Sequence, residues 1–424
     1  MAKNDFDKLD NLIEKEFSEI IDLSKVDTKV PHWYDIGVYA VNYICSKNLF
    51  GGIPKGRITG IEGLSGTGKS LLTATVMRDP TIDRIFIIET EGGGNSDELI
   101  TFANADRSKV RIFKTSTFNS YCITKSTGKI EEISDAKLPK ARETDKYIYK
   151  EGASTFLRRL ANTIEYSKVK PNILIIMDSL GNMQSVRALT GTSDMGKRAQ
   201  DITNFFKNFD NEFERSGLTF IFTNKMYQNM GQGGPFNLYN SSGGEAPIYN
   251  SSLYLRLSTT ADTDDVSTKE DTAEKERRKT ALGSSLKTIK AKVQKSRFGT
   301  EMRSIPFLLD FVVGPVRLSG LFRLLTDFGV IEKAGGSYYA MPGIIDKKFF
   351  KKDFTGLILE NEKEYLEKIQ KRLDERETEI KQERSKIQAS DIEEVEEDED
   401  IDITDEFDED ELKKAMVQDK EGVE

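Results

Sequence analysis

Four short apolar runs stand out along the chain: RITGIE (57–62), RIFIIE (84–89), NILIIMD (172–178) and LTFIFT (218–223). Each is too short for a helix and is bounded by turn or capping residues. Strands of a parallel sheet buried on both faces look like this. Helical stretches lie between them, near 70–78, 153–168 and 197–216. Strand–helix alternation predicts a doubly wound α/β fold, a largely parallel twisted sheet flanked by helices. The later runs LYLRLS (253–258) and TIKAKVQKS (288–296) are expected to extend the sheet with hairpin geometry.

The flanks carry other patterns. Leu9, Ile13, Phe17, Ile20 and Ile21 recur at mostly three- and four-residue intervals, which predicts an N-terminal helix. Residues 28–44, TKVPHWYDIGVYAVNYI, read as a second helical pattern after the proline. Two polar insertions, near 119–150 and 259–285, interrupt the core, and the second is expected to be disordered. After Gly314 a helix closing on Gly329 and a small hairpin are expected. Residues 360–389 form a charged helix with Leu366, Ile369, Leu373, Ile380 and Ile387 along one seam, a pattern that more often belongs to a solvated helix. The resulting division is 1–50 as a helical, oligomerising segment, 51–315 as the core and 316–359 as its closing helix and hairpin. The charged helix (360–389) and an acidic disordered tail (390–424) follow.

Charge sharpens this division. The chain of 424 residues has a net charge of −9, yet fifteen of the residues from Asp391 to Glu411 are acidic and none is basic. Without that run the rest stands at about +6. A mildly basic body with an acidic tail is a charge asymmetry, and the tail reads either as an electrostatic competitor for an anionic partner or as a solubilising tail. No apolar run is long enough to span a bilayer and the N-terminus has no apolar signal core, so a cytoplasmic location is expected. Two isolated cysteines, Cys45 and Cys122, make no disulfide framework. His32 is the only histidine, which argues against zinc hydrolases and histidine-based triads.

The chemistry concentrates at Gly63-Leu64-Ser65-Gly66-Thr67-Gly68-Lys69-Ser70, a full match to G-x-x-x-x-G-K-[ST]. Glycines let the backbone turn so that successive N–H groups face phosphate oxygens, and the following helix offers its positive dipole end to the same anion. Lys69 is expected to reach the β- and γ-phosphates of a bound ATP, and the Ser70 hydroxyl to coordinate Mg²⁺. Asp178 closes the run ILIIMD, which puts a carboxylate at a strand's C-terminal edge beside that loop, where it can hold the Mg²⁺ shell. Glu89 and Glu91 end the second strand. Either could orient an attacking water, and spacing does not choose between them.

Beyond these residues the chain resembles the RecA-like recombinases, most nearly the UvsX branch of T-even-like bacteriophages. The resemblance spans roughly 28–345 without the insertions. It rests on TKVP (28–31), ETEGG around Glu91, MDSLGNMQS (177–185), FTNKMYQ (222–228), GGEAPIYNSS, VQKSR (293–297) and LSGLFRLLTDFGVIEKAGGSYYA, in that order. It implies a RecA-like P-loop ATPase core with Glu91 as the catalytic glutamate and Asn224-Lys225 at the nucleotide. Lys295 and Arg297 would reach a neighbouring subunit's ATP. It also implies DNA contacts from Arg187, Lys197 and Arg198 around a first loop and from Tyr227, Gly243, Gly244 and Tyr249 in a second. The implied partners are single-stranded DNA, double-stranded DNA, further copies of the chain in a helical filament, a single-strand-binding protein and a recombination mediator. One departure is Lys225, where the family usually carries glutamine or histidine. A hexameric helicase built on the same core is the alternative, and a nucleotide-gated scaffold with little hydrolysis is a third.

Overall fold

The structure is a computed structural model and describes residues 29–90, 96–134, 137, 142–191, 195–207, 213, 216–228, 239–260 and 286–398. The N-terminal pattern at Leu9–Ile21, the second insertion and most of the acidic tail therefore lie outside the described residues. The chain divides after Gln370 into two compact units.

The four apolar runs form the predicted strands β1 (Ile58–Gly63), β2 (Arg84–Glu89), β4 (Ile173–Asp178) and β5 (Thr219–Gln228), and a strand not read from the sequence, β3 (Val110–Lys114), joins them. They are followed by β6 (Leu253–Thr259), β7 (Leu286–Ser296) and β8 (Ser304–Asp310). The sheet order is 8-7-6-1-5-4-2-3, with the pairs from β6 through β3 parallel and β6–β7 and β7–β8 antiparallel. The predicted hairpin extension is thus present. Two short antiparallel strands, Tyr239–Ser241 on β5 and Gly314–Pro315 on β8, complete the ten.

Helices interleave with these strands: α1 (Tyr39–Ser46), α2 (Lys69–Val76), α3 (Ser96–Ala103), α4 (Ala153–Glu165) and α5 (Met195–Lys207). One face of the sheet gives Ile173, Ile175, Met177, Phe220 and Phe222 to a core shared with Leu157 and Ala161 of α4 and Ile202, Phe205 and Phe206 of α5. The alternate positions, Leu174, Ile176 and Ile221, are buried too, and α2 packs on β1 and β5. Burial of both faces explains why these strands read as continuous apolar runs.

Three segments depart from expectation. Residues 28–44 become helical only at Tyr39. Trp33–Tyr34 instead pairs with Ile53–Pro54, and Gly37 turns the chain at φ +92° with its N–H on the Asp35 carboxylate. The first insertion carries an antiparallel sheet of its own: Tyr121–Thr124 sits between Ile130–Glu132 and Tyr147–Lys150. The seam of the charged helix is not simply solvated. Leu366 and Ile369 are buried, Tyr39 donates to Glu362, and Gln370 bonds both Leu49 N–H and the Lys47 carbonyl.

Past Gly314, the helix Leu321–Asp327 ends at Gly329 (φ +65°) as expected, and the hairpin gains a third strand over Glu332–Lys333, Tyr338–Met341 and Ile345–Phe350. In the second unit the charged helix, Glu362–Asp398 overall, runs beyond 389 into the acidic segment. Glutamate is a good helix former, so the first acidic residues extend the helix.

Candidate functional site

The loop from Gly63 to Gly68 joins the C-terminal end of β1 to the N-terminus of α2. Glycine suits position 68 on two counts: its φ is +82°, and a Cβ there would sit 2.0 Å from Leu309 Cδ2. Gly66 is also left-handed, at φ +73°. Thr67 is buried and donates to the Leu64 carbonyl at 2.9 Å. The Lys69 ammonium donates to the carbonyls of Gly63 (2.9 Å) and Leu64 (2.8 Å), spanning the loop from its far end. Free N–H groups at a helix N-terminus, beside a lysine, favour an anion.

A cleft of about 490 Å³ opens over this loop. Its walls bring together Ser65, Gly66, Gly68, Lys69 and Ser70 from the loop, Glu89 from β2, Asp178 from β4, and Lys225 and Tyr227 from β5. All lie at the C-terminal ends of parallel strands, where ligands of open α/β sheets bind. Asp178 ends β4, one strand removed from β1 because β5 runs between them, and it lines the same cleft as the loop. Its carboxylate still reaches the cleft and accepts from Thr223 at 2.5 Å. One carboxylate oxygen is thereby oriented by β5, and the Asp178–Ser179 peptide is cis. Among the described residues no group of three or more His, Cys, Asp or Glu is placed to hold a metal ion. Ser70 and Asp178 fit Mg²⁺ all the same, since that ion takes few protein ligands and completes its shell with phosphate oxygens and water.

Glu89 is buried, accepts from Ser96 at 2.9 Å and lies 3.6 Å from the Lys114 ammonium. Glu91 lies outside the described residues. Lys225 donates to Asn182 Oδ1 at 2.8 Å, so the residue that departs from the family pattern holds the turn after Asp178. Asn224, expected at the nucleotide, takes a different place. Side chains alternate along a strand, so Thr223 and Lys225 face the cleft side while Asn224 faces away. It is fully buried and donates to the Ser242 carbonyl (2.9 Å) and the Tyr254 hydroxyl (3.3 Å).

Asn224 belongs to a polar network that sequence reading missed. Glu62, 0% exposed at the end of the apolar run of β1, accepts from Arg256 Nε at 2.5 Å, from the Tyr254 hydroxyl at 3.0 Å and from Ser241. Burial, reinforced by the Glu62 charge, pushes the Tyr254 phenol well above the usual tyrosine range, so it stays a donor. The network ties β1, β5 and β6 to the Tyr239–Ser241 strand. Removing the buried partner of an ion pair is costly, and Arg256 is one-third exposed. Glu62→Ala is therefore expected to lose about 2–4 kcal/mol in chemical denaturation; a loss below about 1 kcal/mol would show the network to be incidental.

The remaining expected residues are spread out. Arg187 is exposed on the short helix Val186–Leu189. Arg198 instead turns to the Gly181 carbonyl, so it anchors the turn rather than pointing to solvent. The side chain of Lys197 lies outside the described residues. Tyr227, 51% exposed, lines the cleft itself. Gly243 and Gly244 are both left-handed, at φ +85° and +64°. Tyr249 is exposed; its carbonyl accepts from Lys295, whose ammonium lies 5.9 Å from its ring centroid.

Ser296 pairs with Leu253, and Leu253 with Thr59 at the start of β1. Lys295 and Arg297 thus sit at the opposite end of the sheet from the loop. Two cleft-side residues escaped the sequence reading. Phe311 lines the cleft, and Lys287 lies 5.0 Å over its ring and 3.6 Å from where a Gly66 Cβ would stand. Lys287 falls just ahead of the run from which β7 was read, so only the longer strand reveals it.

No helix among the described residues is long and apolar enough to cross a membrane. No known family model matches the chain, and no curated protein matches it.

Proposed function

We propose that the chain is a P-loop nucleoside triphosphatase that binds ATP with Mg²⁺ in the cleft over Lys69. Within that class we take it to be a DNA strand-exchange recombinase with a RecA-like core, acting as a filament on single-stranded DNA. The observation that carries the first step is the convergence of Lys69, Ser70, Glu89, Asp178 and Lys225 on one cleft at the strand ends. The second step rests on the ordered motifs that resemble the recombinases, Glu91 included.

Phosphoryl transfer asks the protein mainly for position and charge. The loop N–H groups and Lys69 hold the phosphates, Ser70 and Asp178 would hold Mg²⁺, and the ion would neutralise developing charge. A carboxylate at the end of β2 orients water: Glu91 by resemblance, with Glu89 at the same edge. Lys225 bridges the cleft to the turn at Asn182, which leads into the segment bearing Arg187. Phosphate charge in the cleft competes with Asn182 for that ammonium, giving a route from nucleotide to DNA segment. Lys295 and Arg297 cannot serve the cleft of their own subunit from the far end of the sheet, which suits action on a neighbour.

A strand-exchange assay with ATP, Mg²⁺, a single strand and homologous duplex tests this reading. Joint molecules that require both ATP and homology are expected. Unwinding of forked duplex without pairing would favour the helicase.

A further inference from the structure

A second cleft, of about 510 Å³, lies between the C-terminal ends of β2 and β3 and the inserted sheet at 121–150, and it is absorbed by nothing above. Its floor is Thr115–Thr117, directly after β3. Tyr121 and Tyr149 supply aromatic surface, and Lys114, Arg142 and Lys150 supply positive charge. Lys114 is 72% exposed and only loosely paired with Glu89. Glu151 is shared between Arg142 and Arg159, the latter at 3.1 Å, so one carboxylate faces two guanidinium groups. Lys114, Arg142 and Lys150 against Glu89 and Glu151 leave the lining with one positive charge.

Thr117 supplies an independent sign. It is 1% exposed, lines the cleft, and its buried hydroxyl has no hydrogen-bond partner among the described residues. A buried polar group left unsatisfied in a folded protein calls for an explanation, and a ligand in the cleft that Thr117 lines is one. Glu89 lines both clefts, so the two share a wall. The floor is also laddered to the segment after Asp178: Phe118 N–H bonds the Gln184 carbonyl at 3.0 Å, and Gln184 N–H the Ser116 carbonyl at 2.8 Å.

We propose that this second cleft binds a nucleotide unit, its phosphate held by Arg142 and Lys150 and its base set against Tyr121 and Tyr149. Cations beside aromatic faces are what a phosphorylated base requires, and the volume is that of a small-ligand site. The unit could come from a nucleic-acid strand or from a free nucleotide, and the chemistry is shared. The assignment stands apart from the reading of the first cleft.

The test uses the full-length chain with two probes, a fluorescein-labelled oligothymidylate and free dTMP. Lys150→Glu and Tyr149→Ala are each expected to weaken binding about tenfold. Weakening confined to the oligonucleotide identifies a strand as the source; weakening of dTMP as well identifies a free nucleotide. Thr117→Val is expected to lower probe affinity while leaving thermal stability equal or higher, a pairing that a purely structural threonine does not give. Tyr149→Phe and Lys150→Arg are expected to retain binding. The proposal falls if the parent chain binds neither probe, or if the first two variants fold normally and bind both within about twofold of it. Lys69→Ala is expected to leave dTMP binding unchanged, so a failure of the first reading shows separately, as ATP binding that survives that substitution.

Discussion

Lys69→Ala is expected to weaken ATP binding by about 100-fold or more. The ammonium spans the carbonyls of Gly63 and Leu64 and is in place to turn to a phosphate on the same loop. A charge-assisted contact to phosphate in a partly enclosed cleft is worth about 3 kcal/mol, and each 1.4 kcal/mol is tenfold in affinity. Alanine also removes the donor from two loop carbonyls, loosening the turn that aims the N–H groups. Displacement of a fluorescent ATP analogue measures the effect. Binding within about threefold of the parent would move the triphosphate away from this loop.

The second large effect concerns Lys295 and Arg297. Replacing both with alanine is expected to lower DNA-stimulated ATP turnover by about 1,000-fold while ATP binding changes little, because a cation supplied to the transferring phosphate acts in the transition state. The sheet register sets these residues at the end opposite Lys69, so under the proposed function they would act on a neighbour's site. Mixing this double variant with Lys69→Ala chains therefore carries a sharp expectation. Interfaces that combine the intact Lys69 of one chain with the intact Lys295 and Arg297 of the other regain turnover. If the mixture stays as inactive as its components, the two residues are not answering a neighbour's ATP.

The core strands were legible because burial on both faces leaves unbroken apolar runs such as ILIIMD, and the phosphate loop because its glycines answer a local backbone demand. The inserted strands at 121–150 were not, since short antiparallel strands with a solvated face carry no such run. Glu62 reads locally as one polar residue in a strand. Its burial is explained by Arg256, 194 residues away, which no local pattern announces. Asn224 and Lys225 were grouped as neighbours in sequence, yet strand alternation sends them to opposite faces, one into the Glu62 network and one into the cleft. Leu366 and Ile369 recur at a spacing that a solvated helix could also show, and only the partners at Tyr39 and Leu49 decide for burial.

The proposed function draws these residues into one arrangement, a nucleotide held at Lys69 and completed by a second copy of the chain along a DNA strand. Electron microscopy of the full-length protein with ATP, Mg²⁺ and single-stranded DNA observes it directly. Continuous helical filaments that vanish with Lys69→Ala are the expected image. Closed rings, or particles that stay single on the strand, would contradict it.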